Sequence, residues 1–165
     1  MVVIQSYDIS KFFDKEMIED AILTCIKRGA DPKSVRLWYK LNSDTQIQVR
    51  TGAGMTRYGN VGAVVGQGML GGTLVSQAVL DEGVMEHFLP GGANQMKYGD
   101  VLLAPLMWID DIINGAEQLE EARNINMIIN LVMKQRGLCL NEDKSVCIIM
   151  GSKKTKENCL IRVGR

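Results

Sequence analysis

The chain has 165 residues, 46% of them hydrophobic and 23% charged, with 19 basic and 19 acidic side chains. That length and balance suit about one globular domain and exclude a disordered or repeat protein. No apolar run approaches the roughly 20 residues that cross a bilayer and no basic leader opens the chain, so a membrane or secreted protein is not expected, and an intracellular one, cytoplasmic or nuclear, is.

Four cysteines, Cys25, Cys139, Cys147 and Cys159, form no C-x-x-C pair, and the chain has a single histidine, His87. They make a poor zinc set and read as reduced thiols. The neutral total conceals an asymmetry: residues 1–151 hold 14 basic and 18 acidic groups, and residues 152–165 hold 5 and 1. Lys153, Lys154, Lys156, Arg162 and Arg165 thus form a basic tail, able to meet phosphates or simply to stay solvated.

In chain order, VVIQSY at 2–7 is β-prone and ends at Asp8, an abrupt start that suggests a missing upstream segment. Met17, Ile18, Ala21, Ile22 and Ile26 recur at helical spacing over 15–28, with Asp14 as a candidate N-cap and Gly29 as the stop. Asp31-Pro32 opens a second helix through Leu41, Pro32 standing where its missing N–H costs nothing. TQIQVRT at 45–51 alternates like a half-buried strand, and a glycine-rich turn follows over 52–62. A helix is expected from the 66–68 glycines to Phe88. Gly71, Gly72 and Gly83 weaken it unless something approaches its backbone closely.

VLLAPLMWI at 101–109 and Ile112-Ile113 predict a tight hairpin around Asp110-Asp111. Leu119, Ala122, Ile125, Ile129 and Val132 line one face of a helix over 117–136, closed by Gly137. Strands at 138–141 and 146–150 finish the chain. This order implies α+β, an antiparallel sheet with helices mainly on one face, because the hairpin forbids an all-parallel arrangement.

Two adjacent carboxylates at the tip of an apolar hairpin resist ionising together unless a cation neutralises them. A hard divalent cation supplies that charge. If the first strand neighbours the hairpin, Asp8 converges with Asp110, and such a pair can hold two metals about 4 Å apart for phosphoryl transfer.

Asp8-Ile9-Ser10-Lys11-Phe12-Phe13-Asp14 resembles motif A of reverse transcriptases, especially those of retrotransposons lacking long terminal repeats. Gly66-Gln67-Gly68 with Ser76 resembles motif B, Trp108-Ile109-Asp110-Asp111 motif C, and Gly137-Leu138-Cys139-Leu140-Asn141 with Lys144 motif D. The four stand in the family's order over residues 2–151. The resemblance implies a polymerase palm over 1–151, with fingers and thumb missing. It also implies two Mg²⁺ (or Mn²⁺) ions, an RNA template, a DNA primer and deoxynucleoside triphosphates. Asp8, Asp110 and Asp111 would be metal ligands, with the Ile9 carbonyl a further contact. Phe13 would be the steric gate against the 2′-hydroxyl. Gln67 and Gly68 would pack near the nascent base pair, and Lys144 would protonate the leaving pyrophosphate. Trp108-Ile109 stands where the family mostly has Tyr or Phe followed by Ala, and motif B lacks its usual Ser-Pro.

Three other readings are open. Gly66-Gln67-Gly68-Met69-Leu70-Gly71 satisfies G-x-G-x-x-G, but the acid about 20 residues on, Glu86, falls within a predicted helix rather than at a strand end. A nucleotidyl cyclase on a palm-like sheet would need no template or primer. A catalytically inactive or domesticated palm remnant would keep the fold as a nucleic-acid or protein interaction module.

Overall fold

A computed structural model describes residues 1–43, 45–60, 65–66, 68–69, 71–88, 96–98 and 100–151. Gln67 and the basic tail over 152–165 lie outside the described residues. In chain order the elements are β1 (Val2–Asp8), α1 (Phe12–Lys15), α2 (Ile18–Lys27), α3 (Pro32–Asn42), β2 (Gln46–Ile47), β3 (Arg50–Thr51), β4 (Gly54–Met55) and β5 (Gly59–Asn60). There follow α4 (Gly72–Met85), β6 (Met96–Tyr98), β7 (Val101–Leu103), β8 (Leu106–Trp108), β9 (Asp111–Ala116), α5 (Leu119–Gln135) and β10 (Val146–Met150). The chain divides into two compact units, Met1–Phe12 with the residues from Leu80 onward, and Phe13–Val79.

The first unit is built on a four-stranded antiparallel sheet in the order β10-β1-β9-β8. Alternation along β1 buries Val3, Gln5 and Tyr7, and along β9 it buries Ile112, Asn114 and Ala116. α5 packs on these two strands through the stripe Ala122, Ile125, Ile129, Val132 and Met133. Each large aliphatic side chain removed from water there contributes about 1.5–3 kcal/mol. The other sheet face stays open, with Leu106, Trp108, Ile113, Val146, Ile148 and Met150 all exposed. The architecture is therefore α+β with an antiparallel sheet, as the pattern implied.

Inside the covered face, Asn114 Nδ2 donates to Gln5 Oε1 at 3.1 Å across the β1–β9 pair. Burial drives the Tyr7 phenol far above its ordinary range, and it stays protonated. Gly83 has a structural reason: a Cβ there would lie 3.0 Å from Val132 Cγ1 and 2.8 Å from Arg136 Nε, so a larger residue would push both side chains aside. Among the described residues Cys25, Cys139 and Cys147 form no disulfide, and no helix is long and apolar enough to cross a membrane.

The second unit gathers Ala21, Val65, Val75 and Val79 into a cluster against which Cys25 and Trp38 pack. α3 begins as the sequence predicts. Asp31 Oδ2 accepts from the Ser34 backbone N–H and hydroxyl, each at 3.0 Å, and Pro32 follows the cap. Gly29 adopts φ +82° after α2.

Several boundaries differ from the pattern. The helix expected from 15 begins at Ile18, and its N-cap is Met17 with no side-chain cap. Asp14 instead sits in the short α1, so it does not cap α2. The 45–51 strand is exposed rather than half-buried, because it pairs with its own return, residues 54–60, as a free ribbon. The 101–109 run breaks at Ala104-Pro105, where β7 pairs with β6 and β8 with β9. Proline cannot donate to a ladder. The strand expected over 138–141 shrinks to a single bridge between Ile9 and Leu140.

Candidate functional site

Three segments meet at the end of β1. Because Tyr7 and Ile112 point into the covered face, Asp8 and Asp111 point to the open one. They are register partners, and Trp108 is the register partner of Asp111. A row Asp8–Asp111–Trp108 thus runs across three strands, its indole 75% exposed. Like charges directly opposite on neighbouring strands repel, so this row favours a cation above it.

Asp110 is not on a strand but in the β8–β9 turn, and its carbonyl accepts the Ile9 N–H at 3.0 Å. The residue before it, Ile109, has φ +59°. A β-branched side chain at positive φ is strained, by about 1–3 kcal/mol at such sites, and persists only where the surroundings enforce it. Here the flanking ladder and the Ile9–Asp110 hydrogen bond enforce it. Two-residue hairpins prefer positive φ at the first central residue, normally with glycine; this turn keeps the geometry and not the residue.

The third segment is the turn over 139–145. Asn141 N–H donates to the Asp8 carbonyl at 2.8 Å, and Ser10 N–H to the Cys139 carbonyl at 2.8 Å. Ser145 Oγ accepts the Asp8 N–H at 3.3 Å while donating to the Asn141 carbonyl at 2.7 Å. Both backbone polar groups of Asp8 are therefore tied to this one turn. This turn brings Lys144 Nζ to 3.5 Å from Asp8 Oδ1, the lysine largely exposed and the aspartate 18% exposed.

Of the residues singled out in the sequence, Asp8, Ile9, Asp110, Asp111 and Lys144 come together in the first unit. Ile9 itself is buried and tied through its N–H to Asp110. Phe13 lies in α1 and belongs to the second unit, as does Gly68. Gly68 adopts φ +85° with open space where a Cβ would stand, so its backbone conformation is what calls for glycine. The turn around it is fastened below: Val65 N–H donates to the Glu16 carbonyl at 2.9 Å, and Ser76 Oγ donates to Glu16 Oε2. Sequence reasoning missed Ser145 and the Glu16–Ser76 pair. Neither spacing nor residue type marks a serine that bonds 137 residues back along the chain.

Among the described residues no group of three or more His, Cys, Asp or Glu side chains is arranged to hold a metal ion. A closed protein cage is thus not present. Mg²⁺ asks for less: one or two carboxylates, with water and phosphate oxygens completing its octahedron. Asp8 and Asp111, hard oxygen donors in register on one face, fit that smaller demand.

No protein-family model and no curated protein sequence matches the chain. Solved structures do. Apo telomerase of Candida tropicalis, truncated from its C-terminal domain, superposes with a TM-score of 0.69 at 14% identity, over 92% of this chain and 31% of that one. Telomerase of Candida albicans in complex with the TWJ fragment of telomeric RNA gives 0.68 at 10% identity, over 90% and 28%. The corresponding Candida tropicalis complex gives 0.67 at 14% identity, over 89% and 26%. This chain spans about a third or less of those proteins. At these identities the likeness is one of fold alone, a fold shared with part of these telomerases.

Proposed function

We propose that the chain is the palm portion of an RNA-directed DNA polymerase of retroelement origin. The observation that carries the reading is the register pairing of Asp8 with Asp111 beside a strained turn latched to Ile9, within a reverse-transcriptase-like fold. RNA template, DNA primer and deoxynucleoside triphosphates are the proposed partners; two of the structural neighbours were solved with telomeric RNA.

Asp8, Asp110 and Asp111 would hold Mg²⁺ or Mn²⁺. Such ions, when bound, supply the charge that stabilises attacking and leaving oxygens in phosphoryl transfer. Lys144, already beside Asp8, is the proton donor to departing pyrophosphate. Phe13 would crowd the 2′-hydroxyl, Gln67 and Gly68 would pack near the nascent base pair, and the Ile9 carbonyl would be a further metal contact.

The test joins this chain to fingers and thumb segments and measures primer extension on an RNA template. Asp8→Asn and Asp110→Asn should each abolish Mg²⁺-dependent extension while the circular dichroism spectrum is kept. Extension at the parental rate would remove that residue from the mechanism. A second reading is a catalytically inactive or domesticated palm remnant that serves as a nucleic-acid or protein interaction module. It predicts that the chain fails to quench or shift on Mn²⁺ titration, with or without Asp8.

A further inference from the structure

Residues 45–60 form a free-standing ribbon with an unusual surface. The segment TQIQVRTGAGMTRYGN carries Arg50 and Arg57 and no acidic residue, in a chain with 19 acids. Both arginines are exposed, and neither makes an ion pair among the described residues. Tyr58 is 68% exposed.

The pairing is irregular in a way that gathers these groups. One end pairs Gln46 with Asn60 and Ile47 with Gly59; the other pairs Arg50 with Met55 and Thr51 with Gly54. Two residues lie between these pairs on the outgoing strand and three on the return, so Arg57 and Tyr58 together stand opposite Gln48. That is a β-bulge, which sets two neighbouring side chains against one and re-aims them. Thr56 stabilises it: its Oγ1 accepts the Val49 N–H at 2.9 Å and its carbonyl accepts Gln48 Nε2 at 3.1 Å. On the outgoing strand the two-residue period puts Gln46, Gln48 and Arg50 on one face.

We infer that this ribbon is a contact for single-stranded nucleic acid, Arg50 and Arg57 meeting backbone phosphates and Tyr58 stacking on an unpaired base. Two exposed guanidinium groups, without an ion pair among the described residues and on a segment, 45–60, that holds no acid, complement a phosphodiester backbone. An exposed aromatic ring beside them is the platform on which single strands, rather than duplexes, stack. The site stands apart from the polymerase reading, since binding needs neither metal nor nucleotide, and each can fail alone.

The experiment measures fluorescence anisotropy of labelled 12-nucleotide RNA and DNA strands, and of the matching duplex, with the full chain across a salt series. Arg50→Glu with Arg57→Glu should weaken strand binding about tenfold or more. Each arginine-to-alanine change should flatten the log K against log salt slope by about 0.7. Tyr58→Ala should cost about fivefold or more without changing that slope. Neutralising Lys153, Lys154 and Lys156 to glutamine separates the tail from the ribbon. RNA bound more tightly than DNA would mark the 2′-hydroxyl as part of the contact, and equal affinity would leave the shared strand as its ligand. Absence of binding, loss only with the tail variant, unchanged affinity in the double charge reversal, or a ribbon that takes only the duplex would each overturn the inference. Melting temperatures within a degree or two of the parent show that the exposed substitutions leave the fold intact.

Discussion

The β1–β9 pair and the 45–60 ribbon use the same local chemistry to opposite ends. Both are antiparallel, and both alternate apolar with polar residues. In β1 and β9 one face is covered by α5, so alternate residues fall to near zero exposure and the remainder, Asp8 and Asp111 among them, look outward. In the ribbon no such covering element is found among the described residues, and Ile47, Val49 and Met55 stay more than half exposed. Alternation therefore fixes which residues share a face and leaves open whether anything lies against that face.

The largest effect should separate the two directly. Ile112→Ala, at a fully buried position of β9, should cost about 2–5 kcal/mol in denaturant unfolding. Ile47→Ala in the ribbon should stay within roughly 0.5 kcal/mol. Comparable losses at both sites would mean the ribbon is as deeply packed as the sheet, against its observed exposure.

The turns give a finer contrast. Gly54 has φ +117° at the ribbon tip, where Gly54→Ala should destabilise by about 1–3 kcal/mol. Ile109 has φ +59° at the sheet tip, where Ile109→Gly should relieve strain and net roughly 0.5–1 kcal/mol of stabilisation. A destabilised Ile109→Gly would show that the isoleucine side chain contributes more than its backbone costs.

The smallest effect lies in neither region and serves as a baseline for them. The Asp31 carboxyl is held below its usual range by hydrogen bonds from the Ser34 backbone and hydroxyl. Its depressed value means that its contribution is present above the unfolded-state value and is lost as pH falls through the folded one. Parent and Asp31→Ala melting temperatures should differ slightly at neutral pH and converge on acidification. A gap that widens in acid would reverse the assignment.

How far the sequence reached can be judged from individual residues. Asp8 at the end of β1, the hairpin around Asp110-Asp111, α5 with Gly137 behind it, and the Asp31 cap all follow from patterns of a few adjacent residues. The exact register of Asp8 did not: its partner in the ladder is Asp111, while Asp110 stands in the β8–β9 turn with its carbonyl on the Ile9 N–H. A one-residue difference in register moves a side chain to the other face, and it is decided by pairing across more than a hundred residues, which no local window contains. The ribbon bulge and the Ser145 hydrogen bond were invisible for the same reason. The reason for Gly83 was anticipated only in form, as a close approach, until Val132 and Arg136 of α5 supplied the neighbour.

The place of β1 in the sheet also sets an order of events. It precedes every other strand of the sheet in sequence and lies in the sheet interior, yet both its partners, β9 and β10, come from the last third of these 165 residues. Asp8 meets Ser145 across 137 residues, and Gln5 meets Asn114 across 109. Closing such long loops before any ladder bond forms is slow. On the ribosome the β1–β9 pair, and with it the row Asp8–Asp111–Trp108, can form once the sequence through Ala116 has emerged, while the other edge of β1 waits for β10 at Val146–Met150. The helical segment over Phe13–Val79 has its own short-range contacts to form in the meantime. The carboxylate row is thus in place before Ser145 and Lys144 arrive to fasten Asp8.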